Sequence, residues 1–275
     1  MAWCATPAAP ASSTPPDSGA RAPADGPGII STEIDIEAAP GPALDFATLP
    51  ASDIAAATRG PLQGQVAAVA FDPLPSAVDS MERLRALVRA AVGAGARLVV
   101  LPDLAGTEPR AVTATETLPS LEALSTETGA TIFAGLAERA DGVTYKTAYA
   151  IENGVVLAAH LQSVLDRDER TAGFRAGEQA PSIVKTSLGA VGVLCGAEGL
   201  ALAAPAGASM AVWCAGDAAA PVGGTARAIA IEDGVAIVAA ESTSRAGGAF
   251  VIDTTGHVLA ATPAGEALVA TARLT

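Results

Sequence analysis

Residues 66–103 read VAAVAFDPLPSAVDSMERLRALVRAAVGAGARLVVLPD, and this stretch decides the fold. Two short uncharged runs, 65–71 and 98–102, have the composition of buried strands. Between them, apolar residues recur at a spacing of three to four, which predicts an amphipathic helix. Gly93 and Gly95 are expected to end that helix. The order strand, helix, strand predicts that the two strands lie side by side in one sheet.

The later part of the chain is predicted to form antiparallel strands and one more helix. Asn153-Gly154 separates two β-type runs, and both residues tolerate positive φ, so the pair indicates a tight hairpin. Residues 223–234, GGTARAIAIEDG, are predicted to form a helix that ends at Gly234. Strand–helix alternation early and hairpins late predict an α/β protein in which mixed sheets are covered by helices.

Composition divides the chain into two parts. Residues 1–63 are rich in Ala and Pro, and we expect a largely irregular tail and extended arm there. Residues 64–275 are expected to form one domain, since half of the whole chain is hydrophobic and can fill a sizeable core. Aromatic residues are only 3% of the chain, so this core must be packed mainly from Ala, Val, Leu and Ile.

Charge and residue usage exclude several classes of function. The net charge is −13, which disfavours binding to nucleic acid or to an anionic membrane surface. Three cysteines and two histidines suggest neither a disulfide framework nor a metal site, so we expect no cofactor. No secretory signal or membrane span is recognised, and a cytoplasmic location is expected.

Four segments in their order resemble the nitrilase superfamily of carbon–nitrogen hydrolases. They are residues 66–103, quoted above, residues 145–195, YKTAYAIENGVVLAAHLQSVLDRDERTAGFRAGEQAPSIVKTSLGAVGVLC, residues 225–242 and residues 247–262. The resemblance implies a four-layer αββα sandwich, usually paired into dimers. It also implies a pocket with Glu, Lys and Cys, in which the thiol attacks, the carboxylate moves the proton and the ammonium stabilises the developing negative charge.

The resemblance places Asp103 at the position of the catalytic Glu. The family often has F-P-E at the end of the second strand, and this chain has Leu101-Pro102-Asp103. Asp keeps the carboxylate but is one methylene shorter, and a displacement of about 1 Å can cost on the order of a hundredfold in rate. Two readings remain open, a shortened general base and a strand-end Asp that caps the following loop.

The family's lysine lies after the hairpin, and the alignment of VLAAHLQSVL with that segment places Gln162 there. Gln donates hydrogen bonds but carries no charge. The two lysines of the chain, Lys146 and Lys185, lie outside this loop. The sequence therefore predicts that the pocket has lost its cation. Glu169, seven places after Gln162, matches the family's supporting Glu and is expected to survive as a structural partner of Arg170 or of backbone amides.

The family's nucleophile follows the pattern G-x-x-G-V-x-x-C. Gly189, Gly192 and Val193 fit its beginning, and the count then places Gly196 at the cysteine position, one residue after Cys195. Because successive side chains on a strand alternate in direction, Cys195 is expected to point away from the pocket. A remodelled turn that returns Cys195 to the pocket is the alternative.

Asp103, Gln162 and Gly196 together predict a pseudoenzyme that acts as a structural or regulatory subunit. The alternatives are a repurposed amidase-like hydrolase that uses Cys195, and a small-molecule binding protein that keeps the pocket. We expect a homodimer or larger oligomer, or pairing with an active relative. The interface between the subunits is expected to include Ala226, Ile229 and Ala230 of the predicted final helix.

Overall fold

The structure of this chain is a computed structural model that describes residues 64–104, 113–178, 182–198, 207–216, 222–243, 248–263 and 265–274. The predicted tail and arm, residues 1–63, lie outside the described residues. The helices are α1 (Ala77–Gly93), α2 (Ala114–Thr128), α3 (Arg167–Thr171) and α4 (Val222–Asp233). The strands are β1 (Gly64–Val69), β2 (Leu98–Asp103), β3 (Thr131–Ala140), β4 (Val143–Glu152), β5 (Val155–Leu161), β6 (Phe174–Arg175), β7 (Ile183–Thr186), β8 (Gly189–Cys195), β9 (Met210–Cys214), β10 (Ala236–Ala240), β11 (Ala249–Ile252), β12 (Val258–Ala261) and β13 (Val269–Leu274).

Within the described residues the strands form two mixed sheets. The first has the order β13-β1-β2-β3-β4-β5, with β6 also paired to β4. The second has the order β12-β11-β10-β9-β8-β7. Strands β1 and β2 are parallel neighbours, as the opening segment predicts. The hairpin between β4 and β5 is also confirmed, because Asn153 and Gly154 take positive φ values of 50° and 77°.

Three apolar layers hold the sandwich together. One lies between the two sheets, and it contains the inward side chains of β1, β2 and β4 together with Cys195 of β8 and Cys214 of β9. The second lies between the first sheet and helices α1 and α2. The third lies between the second sheet and α4. This arrangement confirms the αββα sandwich, and burial of apolar area on both faces of each sheet stabilises it.

Local sequence explains where the helices begin and end. Ser76 caps α1, since its side chain accepts a hydrogen bond from the backbone N–H of Asp79 at 3.3 Å. Gly129 ends α2 in the left-handed conformation that glycine adopts without strain. Asp166 and Glu169 form a reciprocal capping box at the start of α3, and this short helix carries Glu169 into the interior.

The expectation that Ala226, Ile229 and Ala230 face a partner subunit is wrong. The three side chains are buried at 0%, 7% and 0% exposure, and they pack on the chain's own second sheet beneath α4. The sequence marks them correctly as the apolar face of the helix, but it does not say which surface covers that face. On the outer side of α4, Ile231 is 58% exposed.

Candidate functional site

Asp103 lies where the two sheets approach each other. Its backbone N–H donates to the carbonyl of Ala215, next to the second sheet, at 3.0 Å. The side chain is buried, and two glycines make room for it. A Cβ atom at Gly135 would lie 2.7 Å from Asp103 Cα, and one at Gly216 would lie 2.9 Å from Asp103 Oδ2. The carboxylate is therefore built into the interior between the sheets.

Lys146 supplies the cation that the sequence was predicted to lack. Its Nζ lies 2.6 Å from Asp103 Oδ2 and 3.1 Å from Glu169 Oε1. All three side chains are at most 4% exposed. The lysine reaches them from β4, beside the loop that carries Gln162. The prediction of a missing cation is wrong, because a neighbouring strand provides the charge.

The pKa of Lys146 reflects a balance between burial and charge. Burial lowers it, but the charges of Asp103 and Glu169 and their hydrogen bonds raise it by more, so the net shift is upward. The Phe174 ring, 5.2 Å from Nζ, covers another side of the ammonium. Lys146 thus stays charged at physiological pH and is enclosed by partners.

Gln162 and Glu169 form the next layer of contacts. The Gln162 Nε2 donates to the Val164 carbonyl at 2.7 Å and to Glu169 Oε2 at 2.8 Å. The backbone N–H of Asp166 donates to the same Glu169 oxygen at 2.8 Å. Glu169 therefore binds a lysine, an amide side chain and a backbone amide. Arg170, one of its expected partners, instead donates to the Leu165 carbonyl.

Gly196 occupies a tight turn directly after β8. Its φ is +50°, and its N–H donates to the Cys214 carbonyl at 2.9 Å. A Cβ atom at Gly196 would overlap the Gln162 carboxamide, with Nε2 only 2.6 Å away. The Gln162 Oε1 is buried and has no hydrogen-bond partner among the described residues. The Gln162 side chain thus fills the space that a side chain at 196 would take.

Cys195 points into the layer between the sheets, and its exposure is 0%. Burial raises the pKa of its thiol, and the negative charge of Asp103 adds to this, while Lys146 acts in the opposite direction. The thiol is therefore within electrostatic reach of the Lys146 cluster but is strongly held in its protonated form. Thiolate, the nucleophilic form, is disfavoured at neutral pH.

The sequence did not predict a second group of buried polar side chains, which is centred on Glu198. The Glu198 carboxylate accepts from the Cys195 N–H at 2.9 Å and the Ser163 hydroxyl at 2.8 Å, and it lies 2.9 Å from the ring Nε2 of His160. It links the turn after β8 to the loop after β5. The available signal was that Glu198 is the single charged residue in the apolar run 196–208, GAEGLALAAPAGA.

Two further features concern metals and membranes. Among the described residues, no group of three or more His, Cys, Asp or Glu side chains is arranged to hold a metal ion. No helix in the described ranges is long and apolar enough to cross a membrane.

The comparisons with known proteins agree with this architecture. The sequence profile of the carbon-nitrogen hydrolase family matches residues 65–275, and the chain belongs to that family. A Cys-to-Ala variant of the Nesterenkonia AN1 amidase from the nitrilase superfamily is 20% identical, with a TM-score of 0.69 over 78% of this chain and 91% of that one. A carbon-nitrogen hydrolase from Helicobacter pylori G27 is 16% identical, with a TM-score of 0.67 over 77% and 89%.

A third solved structure, another variant of the amidase from Nesterenkonia sp. AN1, carries the acetamide moiety of fluoroacetamide covalently added at its active-site cysteine. It is 19% identical, with a TM-score of 0.66 over 78% of this chain and 91% of that one. At these identities the structural similarities establish the fold. No curated protein sequence matches the chain significantly.

Proposed function

We propose that this chain is a nitrilase-fold pseudoenzyme that serves as a structural or regulatory subunit. The observation that carries the proposal is the filled turn at Gly196. The family pattern puts the attacking cysteine there, whereas this chain has glycine with the Gln162 carboxamide against it. A residue without a side chain provides no nucleophile, and the occupied space leaves little room for a substrate carbon to approach.

The charged groups also favour this function over hydrolysis. Lys146 is held by two carboxylates in a buried cluster, so it has two partners before any oxyanion forms. Stabilising a transition state requires donors aimed at the developing charge. Asp103, in turn, is bound to that lysine. The cluster is therefore well suited to hold the loop after β5 against the sheets.

The second candidate function is a hydrolase that uses Cys195. One observation favours it: the buried Cys195 thiol lies close enough to Asp103 and Lys146 for both charges to shift its pKa. A carboxylate, an ammonium and a thiol are the three groups the family chemistry needs, although the carboxylate here is the shorter Asp and both Cys195 and Lys146 occupy different sequence positions. The raised thiol pKa and the complete burial count against this function.

Hydrolysis of small amides separates the two functions. We expect ammonia release from acetamide and acrylamide to equal the rate without protein. Cys214→Ala serves as the matched control, since Cys214 is a second buried thiol in the same layer. Turnover that is lost in Cys195→Ala and kept in Cys214→Ala would replace the pseudoenzyme proposal with the hydrolase.

A subunit role implies a partner, and we propose a second copy of this chain that covers the outer face of α4. Ile231 is the large apolar side chain exposed there, beside the exposed Arg227. Light scattering at micromolar concentration should give at least the dimer mass. Ile231→Glu should shift that mass toward the monomer, whereas Val78→Glu on α1 should not. A monomeric mass for the unmodified protein would contradict the proposed assembly.

A further inference from the structure

A cavity of about 610 Å³ opens beside the loop after β5. It is lined by Ser163, Val164, Leu165, Arg170, Gly173, Phe174, Arg175 and Ala176. None of these is a position that the family resemblance assigns to catalysis. The volume lies within the range of sites that hold small organic molecules.

Two arginines give this cavity its charge. Arg170 comes from α3 and Arg175 from β6, and neither forms an ion pair with any described residue. Arg170 donates to the Leu165 carbonyl, which holds its guanidinium at the cavity wall. Of the carboxylates nearest in sequence, Asp166 caps α3 and Glu169 binds Lys146, while Asp168 and Glu178 are exposed and form no ion pair with either arginine. Two guanidinium groups without carboxylate partners favour an anion from outside the chain.

Apart from the two arginines and Ser163, the cavity lining is apolar or glycine. Leu165 and Phe174 are buried and pack on Ala137 as a small separate cluster, and Val164 and Ala176 also line the cavity. An inorganic anion would meet only the two arginines and Ser163. An anion with an apolar or aromatic body would also contact the Phe174 side of the cavity, and it would gain from burial of the apolar area that Val164 and Ala176 still expose.

We propose that this cavity binds a small organic carboxylate, with its carboxylate on Arg170 and Arg175 and its apolar body against Leu165 and Phe174. The site does not depend on whether the chain is an enzyme. Ser163 belongs both to the cavity wall and to the hydrogen bonds of Glu198. A bound ligand would therefore contact the loop that also carries Gln162.

Isothermal titration with four probes tests the ligand class. Phenylacetate has the carboxylate and the aromatic body, phenylacetamide has the body without the charge, acetate has the charge without the body, and inorganic phosphate is the non-organic anion. We expect phenylacetate to bind most tightly, about tenfold or more above phenylacetamide, since charged hydrogen bonds are lost in the amide. Equal binding of the two, or tighter binding of phosphate, would overturn the proposal.

Charge-matched variants locate the site. Arg175→Gln and Arg170→Gln should each weaken phenylacetate binding by about tenfold, as expected for removal of one charged hydrogen-bond donor. Arg167→Gln removes the same charge from α3 at an exposed position outside the cavity, and it should leave binding unchanged. Cys195→Ala should also bind normally, which separates this site from any thiol chemistry. Equal effects of Arg167→Gln and Arg175→Gln would overturn the assignment.

Discussion

The cluster around Lys146 and the turn around Gly196 lie on either side of Gln162, yet they differ in what they retain. The cluster has two carboxylates and an ammonium at distances of 2.6 and 3.1 Å, all buried. The turn has no side chain at 196, and a neighbouring amide fills the space. Three buried charged groups are paired in the cluster, whereas position 196 offers no side chain that could act beside them. Under the pseudoenzyme proposal, this end of the sandwich serves the fold without serving hydrolysis.

The largest effect is expected when the ammonium of the Lys146 cluster is removed. Lys146→Met should destabilise the fold by about 3–5 kcal/mol, because two buried carboxylates lose their cation. Urea unfolding measures the change, and Lys185→Met is the control, since Lys185 is an exposed lysine on β7. If the two variants lose similar stability, the cluster does not hold the site together.

Alkaline pH tests how firmly the thiols are buried. The folded state raises the pKa of Cys195 and of Cys214, in both cases first through burial. The unfolded chain loses these protons above about pH 8.5, so the folded state then binds more protons and its stability falls as pH rises. Each thiol should cost about 1.4 kcal/mol by pH ~9.5.

The measurement is the urea unfolding free energy at neutral and alkaline pH. A double variant, Cys195→Ala with Cys214→Ala, should lose less stability over the same interval by about 3 kcal/mol. Tyr149, whose raised pKa also comes first from burial, begins to contribute only above about pH 10 in the unfolded chain. An unchanged pH dependence in the double variant would mean that the thiols are accessible in the folded protein.

A side chain added at position 196 tests the second region, the turn after β8. Gly196→Ala should cost roughly 1–3 kcal/mol, since the new Cβ overlaps Gln162 and the residue has positive φ. Gly129→Ala is the control for the backbone, because its φ is +68° and a Cβ there meets nothing within 4 Å. In a Gln162→Ala background, Gly196→Ala should cost no more than this control. Additive losses would show that Gln162 does not occupy that space.

The sequence predicted the individual strands and helices well because their signals are local, whereas the four-layer sandwich was implied by the family resemblance. Apolar runs, Asn153-Gly154 and Gly234 each specify an element without reference to distant residues. The position of Lys146 was not predicted, because the family resemblance places the lysine at Gln162 in the loop after β5. Strand periodicity did carry the information, since Lys146, Ala148 and Ala150 alternate onto the inner face of β4.

Contacts between the sheets were beyond sequence reasoning. The Glu198 carboxylate meets His160 across 38 positions of the chain, and nothing in either segment indicates the other. Ile229 is a second example. The sequence identifies the apolar face of its helix, but the surface that packs on this face depends on the tertiary fold.

Covalent labelling of Cys195 tests most directly whether this chain has a nucleophile. The folded protein is treated with fluoroacetamide, whose acetamide moiety is covalently added at the active-site cysteine of the Nesterenkonia variant, and a urea-unfolded sample is treated with iodoacetamide, which alkylates any exposed thiol. Peptide mass mapping then distinguishes Cys195 from Cys4 and Cys214, and the urea-unfolded sample confirms that each thiol can be detected. We expect no adduct on Cys195 in the folded protein and a full adduct after unfolding. Rapid labelling of Cys195 in the folded state, at a rate that Lys146→Met abolishes, would contradict the pseudoenzyme proposal.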